Sequence, residues 1–180
     1  MPGYSEAIDP VLRADELLGK LQPSDILDRE LWRTIRDAPG AELAGGKVIA
    51  DGPAFALVRG GLLYALDDLD GSHRFFQEAS GDLGSYWHGV VHRREGDFEN
   101  ARYWFRRAGQ LPFFGELHGR AAGDSAEMAR QQSWDAYLFT GQCEQARFGA
   151  DELTGELVAL QRAEFAVLFD YSWRRAFVAG

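Results

Sequence analysis

Residues 85–107, SYWHGVVHRREGDFENARYWFRR, constrain the fold of this chain more than any other stretch. Gly96-Asp97 divides the run into two helical arms, because glycine can end one helix and aspartate can cap the next. So short a turn sets the arms antiparallel and side by side. The hairpin carries two of the chain's four histidines and five of its arginines among bulky aromatics. Polar and aromatic groups crowded onto a helix pair are either buried and partnered or exposed and used.

The flanking sequence predicts more helices. Asp9-Pro10 starts one that runs through Val11, Leu12, Leu17, Leu18 and Leu21, and Pro23-Ser24 restarts another through Leu27, Leu31, Trp32 and Ile35. Residues 39–52 are glycine-rich and read as a loop, with a short extended piece at 47–50. Gly52-Pro53 opens a helix to about Leu66. Further helices are expected at about 69–79, 84–95, 97–109, 125–140 and 154–177, with Asp124 and Glu127 as a capping box. Residues 110–123 read as a long loop exposing Phe113 and Phe114. No segment alternates with β-branched residues, so the expected fold is all-α. The 180 residues form one domain: N-terminal helices and loop (1–52), repeat-like hairpins (53–153) and a long C-terminal helix (154–180).

Within the central hairpin, Gly89, Gly96, Phe98, Ala101, Phe105 and Ala108 have the small-and-aromatic spacing of a tetratricopeptide repeat, which they resemble. Small residues let two helices approach while aromatics fill the groove between them. Gly60, Leu63, Leu69, Ser72, Phe76 and Ala79 fit the same template. Trp134, Tyr137, Gly141, Cys143, Ala146 and Ala150 suggest a third copy. The chain departs from the repeat at Ser85, where a Trp is usual, and in the closing proline, displaced to Pro112. The resemblance covers about residues 53–153 and implies a stack of antiparallel helix hairpins capped by the C-terminal helix. The longer pattern WHxxxHRREGDxxNAxYWFRR also resembles a run in a family of uncharacterised bacterial and fungal proteins, which implies a fold and no activity.

The net charge of −9 and pI near 4.9 argue against a nucleic-acid binder, which needs a strongly basic face. The apolar runs are too short for a membrane span, and the N-terminus has no signal-peptide pattern, so a cytoplasmic protein is expected. Cys143 is the single cysteine, which excludes an intrachain disulfide, and it has no adjacent histidine to activate it as a nucleophile. Nucleotide-binding glycine motifs are absent.

Two constellations carry chemistry. His88 and His92 are one helical turn apart, and Glu95 lies on the same stripe. Two imidazoles so spaced can converge on a metal, with Glu95 and His73 of the preceding helix as further ligands. A zinc-protease motif would put Glu after the first His, where this chain has Gly89. The bland alternative is a buried histidine network. The repeat alignment places Tyr86, Arg93 and Arg94, with Tyr64, in a groove suited to a carboxylate or phosphate. A solvated helix face is the alternative there. Arg102, Arg106 and Arg107 need no ligand near a helix C-terminus. Asp67-Asp68-Leu69-Asp70 mimics a calcium loop but breaks its ligand pattern. Phe165, Phe169, Trp173 and Phe177 form an apolar face that closes the stack or, alternatively, pairs two copies in a homodimer. The reading preferred from sequence is cofactor-free, non-catalytic binding of an acidic peptide or small anionic ligand at Tyr64, Tyr86, Arg93 and Arg94. Its alternative is a metalloprotein or metal-dependent enzyme holding one transition-metal ion at His73, His88, His92 and Glu95.

Overall fold

Aspartate caps set the central helices close to where the sequence places them. The computed structural model describes residues 3–14, 16–147 and 154–177. In chain order the helices are α1 (Asp9–Leu12), α2 (Arg29–Asp37), α3 (Gly40–Leu43), α4 (Gly52–Ala65), α5 (Leu69–Glu78), α6 (Gly81–Glu95), α7 (Phe98–Ala108), α8 (Phe114–Ala121), α9 (Ala126–Ala129), α10 (Ala136–Arg147) and α11 (Thr154–Ala176). Asp51, Asp68 and Asp97 accept backbone N–H bonds from Ala54, Gly71 and Asn100, starting α4, α5 and α7. Gly96 ends α6 with φ of 78°, a left-handed turn that glycine adopts without strain.

The fold is all-α. The neighbours α4 and α5, then α6 and α7, pack against each other, and α5 also packs on α6. Two of the small residues marked in the sequence make these contacts close. A Cβ on Gly60 would lie 2.6 Å from the Phe76 ring, and one on Gly89 would lie 2.7 Å from the Phe105 ring. Helix α6 is buried without a break from Leu83 to Arg94, which explains its lack of an amphipathic stripe. The long α11 lies against α4 and α8.

The structure corrects several sequence expectations. The first helix stops at Leu12, and the second starts at Arg29, where Asp28 accepts N–H bonds from Glu30 and Leu31. The 39–52 loop contains α3, and its extended piece forms a single bridge, Ile49 with Phe177. The 110–123 segment folds into α8, and Phe113 and Phe114 are buried against Tyr86. The expected 125–140 helix is split into α9 and α10, and the α9 cap is Ser125, not Asp124. Gly141 has open space around it, so it is no close-approach glycine of a third repeat, and Ala150 of that copy lies outside the described residues. The α11 aromatics are spent inside the chain: Phe165, Phe169, Trp173 and Phe177 are all buried. That face is therefore not available as a dimer seam. Among the described residues no helix is long and apolar enough to cross a membrane.

These glycines make opposite predictions. Gly89→Ala forces the Phe105 ring to move and should cost about 1–3 kcal/mol. Gly141→Ala, in an open helical position, should stabilise by about 0.5–1 kcal/mol. Thermal or denaturant unfolding of the two variants beside the parent checks both signs.

Candidate metal centre

The last turn of α6 places consecutive side chains on different neighbours, since each residue advances about 100° around the helix. Arg93 and Arg94 are each 1 % exposed, not in an open groove. Arg93 forks onto Glu164 of α11, with Nη1 at 3.2 Å from Oε1 and Nη2 closer still to Oε2. Its guanidinium lies over the Phe139 ring, 4.2 Å from the centroid. Burial alone would lower the Arg93 pKa, but the Glu164 carboxylate outweighs it and the pKa is raised. Tyr86 donates its hydroxyl hydrogen to Glu164 at 2.7 Å and accepts from Trp134 Nε1 at 2.7 Å. Arg94 donates to Asp67 Oδ1 at 2.6 Å, the Tyr64 carbonyl at 3.0 Å and the Lys20 carbonyl at 2.9 Å. Tyr64 is fully buried beside it, and burial drives its phenol pKa up. Arg93 and Arg94, expected to line an anion groove, are therefore core groups already paired with carboxylates, and Tyr64 and Tyr86 are buried beside them.

The histidines do come together. His73 of α5 and His88 and His92 of α6 each offer one ring nitrogen, and these atoms lie within 4.8 Å of one another. His73 Nε2 and His88 Nε2 are 2.9 Å apart. The His88 and His92 rings stack at 4.7 Å, and His73 stands edge-on to both. Trp104 of α7 stacks on His88 at 4.1 Å and backs the cluster. Glu95 meets the outer nitrogens: Oε1 is 2.7 Å from His73 Nδ1, and Oε2 is 2.9 Å from His92 Nδ1, the latter without hydrogen-bond alignment. His88 and His92 are 5 % and 6 % exposed, while the His73 side chain is 25 % exposed. One side of the cluster thus reaches solvent. The fourth histidine, His118, is bonded elsewhere, 3.2 Å from the Met128 carbonyl.

Electrostatics favour neutral imidazole at His88. Desolvation first, then the neighbouring His92 and His73, depress its pKa to about 4. Burial pushes Glu95 up, but its contacts with His92 and His73 outweigh that and leave its pKa lowered. Neutral imidazole beside ionised carboxylate is the protonation state a metal needs.

The remaining candidates resolve as structural. Asp68 caps α5, and Asp67 pairs with Arg94, so the calcium-like segment is spent. Arg102 bonds Glu144, and Arg107 lies over Trp104. Cys143 is buried, and desolvation raises its thiol pKa to about 11, which leaves it un-ionised. Sequence reasoning missed Glu164 and Trp104. The first had a legible signal, a carboxylate among the apolar positions Leu160, Phe165 and Leu168 of α11.

No family model, curated protein or solved structure matches this chain.

The depressed His88 pKa sets a pH dependence for metal-free protein. The unfolded chain binds a proton near pH 6.5, and the folded chain only near pH 4. Between those values the unfolded state holds more protons, so stability falls as pH falls. Loss of the lowered Glu95 charge adds to it at still lower pH. Chelator-treated protein should unfold at progressively lower denaturant between about pH 6.5 and pH 4, and His88→Gln should flatten that slope.

Proposed function

We propose that this protein binds one transition-metal ion, zinc by its donor chemistry, through His73, His88 and His92. One observation carries this reading. A single carboxylate, Glu95, meets the Nδ1 atoms of both His73 and His92, while His73 Nε2 faces His88 Nε2 at 2.9 Å. Histidine ligands characteristically give their other nitrogen to such a carboxylate, which fixes tautomer and ring direction. Donors sharing a zinc ion sit about 3.3 Å apart, from metal–nitrogen distances of about 2.0–2.1 Å and tetrahedral angles. From the observed arrangement, with the His88 and His92 rings stacked and the donors within 4.8 Å, binding requires the rings to turn toward the ion. Three neutral imidazoles leave the fourth position to water from the exposed side.

The scaffold is read with it as a tetratricopeptide-like stack of two successive hairpins, α4–α5 and α6–α7. The repeated glycine-on-phenylalanine contact, Gly60 with Phe76 and Gly89 with Phe105, supports this. His73 belongs to the first hairpin, and His88 and His92 to the second. The ion therefore clamps one hairpin to the next, where His73 of α5 meets the His88–His92 stripe of α6.

Protein purified without a histidine tag should bind one equivalent of zinc in a chelator-competition titration. Glu95→Gln should weaken binding by about 10–100-fold, as for other carboxylates behind metal-bound histidine. His73→Ala, at a half-buried position, should abolish tight binding while the metal-free variant still unfolds cooperatively. Zinc affinity that survives both His73→Ala and His88→Ala would overturn the assignment.

A further inference from the structure

A second site lies on the other side of α5. Helices α2, α4 and α5, with Leu43 of α3, line a half-open cavity of about 580 Å³, within the range of small-ligand pockets. Trp32 and Phe75 give it aromatic walls, and Ile35 and Leu63 an apolar floor. Three arginines line it, and two have no carboxylate partner among the described residues. Arg36 is already clamped by Asp37, through bonds of 2.7 and 2.8 Å, and its guanidinium covers the Trp32 ring at 4.2 Å. Arg59 lies 5.8 Å from the Phe75 ring centroid and makes one long bond, 3.5 Å, to the Ala38 carbonyl. Arg74 makes no side-chain hydrogen bond or ion pair with any described residue. Asp70 and Glu78 flank it at i−4 and i+4 in the same cavity wall, yet neither closes on it. The third acid of the wall, Asp68, is consumed: Oδ1 accepts from Gly71 N at 2.8 Å and Oδ2 from Trp32 Nε1 at 2.6 Å.

Arg59, half-buried, and Arg74, exposed, present guanidinium groups to this cavity without a paired carboxylate. We propose that the cavity binds a small organic acid with a flat apolar body and one carboxylate. The body lies against Phe75, Ile35 and Leu63, and the carboxylate takes the planar N–H forks of Arg59 and Arg74. Asp70 and Glu78 set the charge of the ligand. They repel a phosphate monoester, which carries about −1.5 to −2 at neutral pH, more than a monoanion. The Trp32–Asp68 bond holds the indole wall in place before the ligand arrives. This site is independent of the histidine cluster.

Calorimetric titration with naphthalene-2-carboxylate, 2-naphthyl phosphate and neutral naphthalene-2-methanol tests the proposal. The carboxylate should bind at least about tenfold more tightly than the alcohol and the phosphate, a gap of about 1.4 kcal/mol. Arg59→Gln and Arg74→Gln should each remove most of that preference, and Arg74 is exposed, so its change does not threaten folding. The Trp32 indole N–H should be among the resonances that shift on titration. Zinc binding of Arg74→Gln should be unchanged, which separates this site from the metal site. Equal binding of alcohol and carboxylate, no loss in either arginine variant, or no binding of the carboxylate would each overturn it.

Discussion

The buried pairing of Arg93 with Glu164 is the contact around which this molecule is organised. Two charges fully withdrawn from water are costly unless each is well matched, and removing one partner from such a pair typically costs about 3–5 kcal/mol. Here Glu164 accepts from Arg93 and Tyr86, and the Tyr86 hydroxyl accepts in turn from Trp134. The network ties α6 to α11 and to the segment before α10. Its contribution is chiefly geometric, because the alternatives that leave any member unpaired are penalised.

That constraint decides what the adjacent residues can do. With Arg93 turned toward α11, the helix geometry turns Arg94 toward α4 and the N-terminal segment, and His92 and Glu95 toward α5. A single turn therefore addresses three neighbours. His92 and Glu95, three residues apart, meet His73 across the boundary between the hairpins. His88, one turn earlier, completes the triad against Trp104. The histidine cluster is held on its two α6 members by burial and on His73 by Glu95. It is a preformed arrangement on helices, not on loops, which suits a metal site.

Much of this was legible in the sequence where short-range chemistry rules. The Asp97 cap, the Gly96 turn and the glycine–phenylalanine contacts are local signals, and they shape the α4–α7 core. The His88–His92–Glu95 stripe was legible because helical spacing alone puts those residues on one face, and His73 followed from the packing of consecutive helices. The exposure of Arg93 and Arg94 was not legible. Their burial depends on Glu164, 71 positions away, and on Asp67, which sits at a left-handed φ of 64°. The first helix was overextended for a related reason. Leu17 and Leu18 keep helical spacing on paper, but Leu18 adopts a φ of 54° and packs into the core as part of an irregular segment. The loop at 110–123 became α8 because Phe113 and Phe114 found a buried face beside Tyr86, a tertiary reward invisible to local composition.

The central claim, that one ion is held by three imidazoles, two of them backed by Glu95, is tested most directly by X-ray absorption spectroscopy of the zinc-loaded protein. The account predicts a first shell of about four light donors at about 2.0–2.1 Å, with the outer-shell scattering pattern of three imidazole rings. A sulfur shell at about 2.3 Å, or an oxygen-only shell without imidazole scattering, would contradict it.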